Sequence, residues 1–506
     1  MILKKDRLPE LFTLLALFGC FSYVFYRASA LSITHDEALS YLHFAWLPKS
    51  YWEIITYKIP TTNNHLLNSI LMRWFTSHFG NSEIIIRTPN LIGYAFYLSS
   101  TVLILRMLLR RYQLLLGILF LALHPFLIGY FSCARGYGLG LGFMMAGIFF
   151  SLKSLQTLTQ ESRLRSYVTY AVLAYFSLFL ATLSNLIFLH LQLSASVILI
   201  FGTLFLGDFK KRRRQILSNF IAILITALFG AITFLIYSEP IKKLSAANEF
   251  YHGGKNGFWS DSVQSLITAT IHGQYHNSLI PVLFLSILIV IVVVLSTLFI
   301  FKVTRKDCLR ENPSQLVFSF VFWMIFLCWI GIELQNLTLK TIFPIDRGVI
   351  YFIPLFSLLC LTFTSNGNWF GQQRWNDLIK KAFLVVIGLS CLHYAYNINT
   401  SYFLLNKPDA HTKEVIQYLE DMNRNKIITP QSQKFGIHWW FEPAINYYLL
   451  RNKIPWFGFV TREGFDGEYD YYYVRAEDKW IIEKYNLKVL KHYSISDTYL
   501  AVPQNT

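Results

Sequence analysis

Two carboxylates stand side by side at Asp36 and Glu37, with His35 before them, just past the first long apolar run, Leu11–Leu31. An ionisable group where a membrane helix surfaces is costly unless hydrated or paired, so it points to function. A carboxylate within reach of a hydroxyl can act as its general base. The same four residues, Thr34-His35-Asp36-Glu37, also fit a capping box, with Thr34 as N-cap and Glu37 three residues on. An acidic first turn suits the helix dipole as well. The two readings are compatible, because a cap can fix Glu37 while Asp36 faces a substrate.

Other residues of the right type lie further along. His65, in Asn63-Asn64-His65-Leu66, opens the second apolar stretch of the same loop and reads either as a satisfied interfacial residue or as a ligand-binding one. Glu83 and Arg87 are four apart and are expected to pair along a helix. Arg135 lies in Ala134-Arg135-Gly136-Tyr137, and Arg347 in Pro344-Ile345-Asp346-Arg347. An arginine at a helix mouth either snorkels to headgroups or clamps a phosphate with its planar fork. His252, His272 and His276 share a later loop, but their spacing matches no standard metal site. No cofactor is required by these residues, and a divalent metal stays open.

These groups need a frame to hold them, and the composition says which. The chain has 506 residues, of which 54% are hydrophobic and 15% charged. Its apolar blocks reach the roughly 20 residues that cross a bilayer. A polytopic α-helical membrane protein with about eleven transmembrane helices follows from the pattern. The first run is too long and too lightly flanked for a cleaved signal and reads as a retained helix. The net charge of +16 would suggest nucleic acid, but the basic residues sit in short loops between spans. Lys4, Lys5 and Arg7, then Lys210–Arg214, Lys302–Arg310 and Arg374–Lys381 all fall on one side under this count. That side is the cytoplasm, so the N-terminus is expected inside and nucleic acid is excluded as a partner. Six cysteines lie in or beside apolar runs without a disulfide pattern.

The first loop, 32–87, is expected outside, with Ala38–Trp46 and Leu66–Phe79 as helices along the interface. The third span is expected over 113–131 and the tenth over Arg347–Thr364. Residues 1–399 then form a transmembrane domain, and residues 400–506 a small external α/β domain. In that domain Thr412–Asn423 and Glu442–Leu450 read as helices, and Lys426–Thr429, Tyr469–Val474 and Tyr499–Val502 as strands.

In this order, the residues resemble the GT-C integral-membrane glycosyltransferases, the group of protein O-mannosyltransferases and aminoarabinose lipid A transferases. The resemblance rests on Asp36-Glu37 after the first span, His65, Phe79-Gly80-Asn81-Ser82-Glu83…Arg87-Thr88-Pro89, Ala134-Arg135-Gly136-Tyr137 and Asp346-Arg347…Tyr351…Pro354. It implies a sugar taken from a polyprenyl-phosphate donor at the outer leaflet of a bacterial inner membrane, with inversion. It also implies Asp36 as base, with Glu37 as support or alternative base, and His65, Arg135, Tyr137 and Arg347 as substrate-binding residues. The acceptor hydroxyl is carried by a lipid, a glycan or a protein. Some relatives place a second carboxylate after the third span, where this chain has Arg135. The competing class, a lipid or polysaccharide transporter or a non-catalytic scaffold, is disfavoured because the charges sit at helix ends rather than at mid-membrane.

Overall fold

The computed structural model describes residues 8–159, 164–206, 212–271, 279–303, 309, 312–365, 372–423 and 433–504. His272, His276, Cys308, the predicted strand Lys426–Thr429 and the basic residues Lys4, Lys5, Arg7, Lys210, Lys211, Arg305, Lys306 and Arg310 lie outside them.

The protein is a polytopic helical membrane protein. Among the described residues nine helices are long and apolar enough to cross a bilayer, and a bent pair makes a tenth. The chain runs α1 (Leu8–Ala30), α2 (His35–Ser40), α3 (Tyr51–Ile55), α4 (Leu66–Phe79) and α5 (Glu83–Leu108). Then come α6 (Arg111–Ala122), α7 (Pro125–Phe131), α8 (Gly136–Thr159), α9 (Leu164–Ser184), α10 (Leu189–Leu206) and α11 (Arg212–Ala246). A short α12 (Gln264–Ile271) precedes α13 (Leu279–Val303), α14 (Pro313–Leu339), α15 (Phe352–Thr362) and α16 (Gln373–Tyr396).

The expected third span is the bent pair: α6 and α7 meet at 65°. Pro125 stands at the first turn of α7, where a missing N–H costs nothing, and it prevents α6 from running on. The expected tenth span is α15, only 11 residues long and entered through a 3₁₀ turn, Asp346–Val349. Eleven residues rise roughly 16 Å, about half a bilayer. Nearly all of α15 is buried against other helices, so its irregular entry is shielded by protein. Helices α5 and α8 pack at backbone distance because Gly93 faces Gly142: a Cβ on Gly142 would lie 2.1 Å from the Gly93 carbonyl oxygen.

The first loop carries the two expected helical stretches. After α2 the helix widens into a π-helical turn, Tyr41–Trp46, and α4 begins and ends at Leu66 and Phe79. The C-terminal segment carries α17 (Thr412–Asn423), α18 (Glu442–Asn452) and a four-stranded sheet of β1 (Phe435–Ile437), β2 (Tyr471–Arg475), β3 (Leu487–Tyr493) and β4 (Thr498–Pro503). The strand order is β1-β2-β4-β3, with β1 parallel to β2 and the other pairs antiparallel. Its core is shared with the first loop: Ile33, Ala38 and Met72 are buried in one cluster with Val415, Ile416, Phe441 and Ile445.

Candidate functional site

Helix α2 has only six residues, so its end groups decide whether it forms. The capping box is complete: the Thr34 hydroxyl accepts from Glu37 N at 3.4 Å, and Glu37 Oε2 accepts from Thr34 N at 3.0 Å. The next amide, His35 N, donates to Asp409 Oδ2 at 2.8 Å, and Ile33 N donates to the Tyr448 hydroxyl at 2.9 Å. His35 Nδ1 lies 2.6 Å from Trp440 O. The helix bearing both carboxylates is therefore held from the far end of the chain.

Glu37 is fully buried and faces Arg87, which is fully buried too. Arg87 Nε and Nη2 each donate to one carboxylate oxygen at 2.8 Å, the bidentate fork that matches this geometry. The remaining guanidinium hydrogens go to the carbonyls of Ala28 (3.0 Å), Leu31 (2.8 Å) and Ser32 (2.9 Å), so all five donors are used. Ala134 N adds a bond to Glu37 Oε1 at 2.5 Å. With Thr34 N on Oε2, each oxygen of Glu37 holds two donors. It locks the end of α1, α2, α5 and the turn before α8 together, and no face is left for a substrate. Glu83, the expected partner of Arg87, instead meets Arg451 at 2.5 Å, Lys413 at 3.1 Å and the Tyr448 hydroxyl at 3.1 Å.

Asp36, one residue away, is the opposite case. Its side chain is 27% exposed. Arg135 Nη1 approaches Oδ2 at 2.8 Å and Arg347 Nη1 the same oxygen at 3.4 Å. Burial pushes the Asp36 pKa up, but Arg135 and Arg347 outweigh it and hold the carboxyl below its usual range. Arg135 is nearly covered, whereas Arg347 is 30% exposed on a turn where Asp346 takes a positive φ of 47°. That conformation is uncommon outside glycine and turns the chain so that Arg347 meets Asp36.

Two spaces open beside this cluster. A polar cleft with about 50 Å³ of free volume is lined by Asp36, Arg135, Arg347, Arg27, Tyr130 and Tyr394. An apolar cavity of about 800 Å³ lies among α12 to α16, walled by residues such as Phe258, Leu288, Trp323 and Phe356. Tyr394 lines both.

No family profile matches the chain, and no curated protein matches it in sequence. Among solved structures it is similar to ArnT from Cupriavidus metallidurans in the apo state, at 10% identity and a TM-score of 0.47 over 97% of each chain. The same protein bound to undecaprenyl phosphate aligns at 11% identity and a TM-score of 0.42, again over 97% of each chain. The archaeal oligosaccharyltransferase AglB from Archaeoglobus fulgidus, in complex with an inhibitory peptide and a dolichol-phosphate, aligns at 12% identity and a TM-score of 0.42. That match covers 87% of this chain and 64% of AglB. No residue of this chain takes its role from these likenesses.

His65 is buried at the start of α4, edge-on to Tyr137 with ring centroids 5.1 Å apart. Burial, then Arg135 and Arg347, drive its pKa well below the ordinary histidine value, so the ring is neutral. Gly136 makes room for it: a Cβ there would lie 2.7 Å from His65 Cβ and 2.0 Å from Ser184 O. Tyr137 is itself buried, and the Arg135 guanidinium lies 5.9 Å from its ring centroid. His252, half-way along the loop after α11, has its pKa lowered by burial and by Arg347.

One histidine–carboxylate group has metal-ligand spacing among the described residues: His438, Glu477 and Asp478. Trp440 N donates to His438 Nδ1 at 3.1 Å, which leaves the proton on Nε2, the nitrogen facing both acids at 3.7 and 3.8 Å. A protonated ring nitrogen has no lone pair to offer, so these residues do not fit a metal as arranged.

Sequence reasoning missed Arg87 as the partner of Glu37, and with it Asp409, Tyr448 and Arg27. Arg27, at the last turn of α1, bonds Asn399 and the Tyr402 carbonyl and lines the polar cleft. An arginine inside the first apolar run, nine residues before Asp36, was the available signal.

Proposed function

We propose that this protein is a glycosyltransferase that moves a sugar from a polyprenyl-phosphate donor to a hydroxyl acceptor, with Asp36 as base. The observation that carries the reading is an ionised, partly exposed carboxylate between two arginines at a cleft that shares Tyr394 with a large apolar cavity. A lipid phosphate needs both halves: cations for its headgroup and an apolar space for its chain.

In this reading the acceptor oxygen attacks the anomeric carbon from the face opposite the phosphate. The new C–O bond forms as the bond to phosphate breaks, and configuration inverts. The acceptor proton passes to Asp36, whose Oδ2 is engaged by the arginines while Oδ1 serves the hydroxyl. The departing polyprenyl phosphate keeps the bonding electrons, and Arg347 and Arg135 neutralise its charge. A low-pKa carboxylate suffices as base because the hydroxyl becomes acidic only as its bond to carbon forms. Residues 1–399 form the catalytic transmembrane domain, and residues 400–506 an external domain that braces α2. The N-terminus lies in the cytoplasm, and the site opens outside a bacterial inner membrane.

The test is purified protein in lipid nanodiscs with labelled polyprenyl-phosphate sugars. Wild type is expected to cleave the sugar–phosphate bond, and Asp36→Asn to slow this about 10²- to 10⁴-fold. Full activity in Asp36→Asn removes the base assignment, and lipid flipping without bond cleavage removes the transferase reading.

A further inference from the structure

The sequence marks His65 as a ligand-binding candidate without saying whether it meets acceptor, donor phosphate or metal. The hydrogen bonds around it choose between them. Asn185 ends α9, and its Oδ1 accepts from Ile187 N at 3.1 Å. That bond fixes which way the amide faces, so it is Nδ2 that lies 3.0 Å from His65 Nδ1. Two donors cannot share a bond. Nδ1 must be the acceptor, and the single proton of the neutral ring sits on Nε2.

That Nε2–H has no acceptor among the described residues, although His65 is only 5% exposed. A buried donor left unpaired is costly, so its persistence asks for a reason. A second such donor shares its aromatic neighbour. Arg135 Nε is also buried without an acceptor, and Arg135 and His65 flank the same Tyr137 ring. Two orphan N–H groups sharing one aromatic neighbour, with the Arg135 and Arg347 charges acting on His65, form a place for an oxygen acceptor, above all an anionic one.

Building on the donor-phosphate reading, we infer that His65 is a neutral hydrogen-bond donor to a phosphoryl oxygen of the bound lipid phosphate, held in its Nε2–H form by Asn185. It is not a metal ligand, because the one ring nitrogen left without a partner among the described residues carries the proton. It is not a general acid either, since loss of that proton would leave an anionic ring.

Binding of farnesyl phosphate to the full-length protein in detergent separates these roles. His65→Ala is expected to weaken it on the order of 10- to 100-fold, the worth of a bond to a charged group. His65→Gln, which keeps an N–H donor but ligates metals poorly, recovers most of that loss. His65→Cys, a metal ligand with a weak donor, does not recover it, with or without added Zn²⁺. Recovery by His65→Cys with Zn²⁺ but not by His65→Gln overturns the inference, as does wild-type binding in His65→Ala. A ¹⁵N spectrum of histidine-labelled protein, with the His65 signals identified by their loss in His65→Gln, reads the tautomer directly. Protonated Nε2 between pH 6 and 8 supports the assignment, and protonated Nδ1 overturns it. Failure of wild type to bind farnesyl phosphate, with Nε2 protonated, counts against the donor reading and leaves the tautomer standing.

Discussion

Glu37 and Asp36 are neighbours in sequence, yet they head two regions built on opposite principles. Around Glu37 every donor and acceptor is used and nothing is exposed. Around Asp36 one oxygen holds two arginines, part of the side chain is open, and an N–H of its partner Arg135 is unpaired among the described residues. A saturated buried pair specifies a shape, whereas an unsaturated, partly solvated one is poised to bind. Identical chemistry thus serves architecture in one region and, in the proposed function, reactivity in the other, and what separates them is the count of partners.

The comparison breaks most visibly at Asp36. Asp36→Asn is expected to remove transfer while leaving the thermal midpoint in detergent within a degree or two, since the carboxylate is part-exposed. Glu37→Gln is expected to do the reverse, costing about 3–5 kcal/mol because Arg87 is left as a buried, uncompensated charge. Chemical unfolding or thermal melts of the two variants side by side decide it. If Asp36→Asn unfolds and Glu37→Gln stays folded but inactive, the two roles are exchanged.

A smaller effect tests the arginines. Arg347→Lys keeps the charge but loses the planar fork, so donor KM should rise roughly tenfold with little change in folding. The same exchange at Arg87, where five donors are spent, should unfold the protein rather than shift KM.

The smallest expected effect concerns Asp409, which caps α2 beneath both regions. Burial pushes its carboxyl up to about 8, against the hydrogen bonds from His35 N and Trp440 Nε1 that favour the charged form. The native state therefore holds a proton that the unfolded chain, with an ordinary value of about 4, releases. Stability from this group is full below about pH 4, falls as pH rises, and levels off above about pH 8. Between pH 6 and 7 the loss should be on the order of 1 kcal/mol, and Asp409→Asn should flatten the slope of melting temperature against pH.

What could be read from the sequence follows from how local each signal is. The cap at Thr34–Glu37, the helix Leu66–Phe79 and the helix Thr412–Asn423 are written in consecutive residues and were legible, both ends included for the two helices. The apolar spans were legible for the same reason. The partner of Glu37 was not, because Arg87 also lies four residues from Glu83, and local pairing is the default expectation. Only tertiary packing turns Arg87 one way and Glu83 the other. Strand β3 was missed because Lys488 and Lys491 interrupt its pattern on an exposed edge, and β1 because three residues carry no periodicity. The bend at Pro125 and the half-length helix α15 were read as continuous spans because composition reports apolar length, not direction.

The bracing of α2 from the C-terminal segment has a consequence for synthesis. His35 and Asp409 are 374 residues apart, and Ile33 and Tyr448 are 415 apart. Chains emerge N-terminus first, so Asp36 reaches its membrane exit long before the groups that set its helix exist. In the proposed reading, the site around Asp36 can assemble only after the segment carrying Asp409 and Tyr448 has folded. On that reading the nascent protein is inert toward its substrates while its spans are still being threaded, and competence comes late in biogenesis.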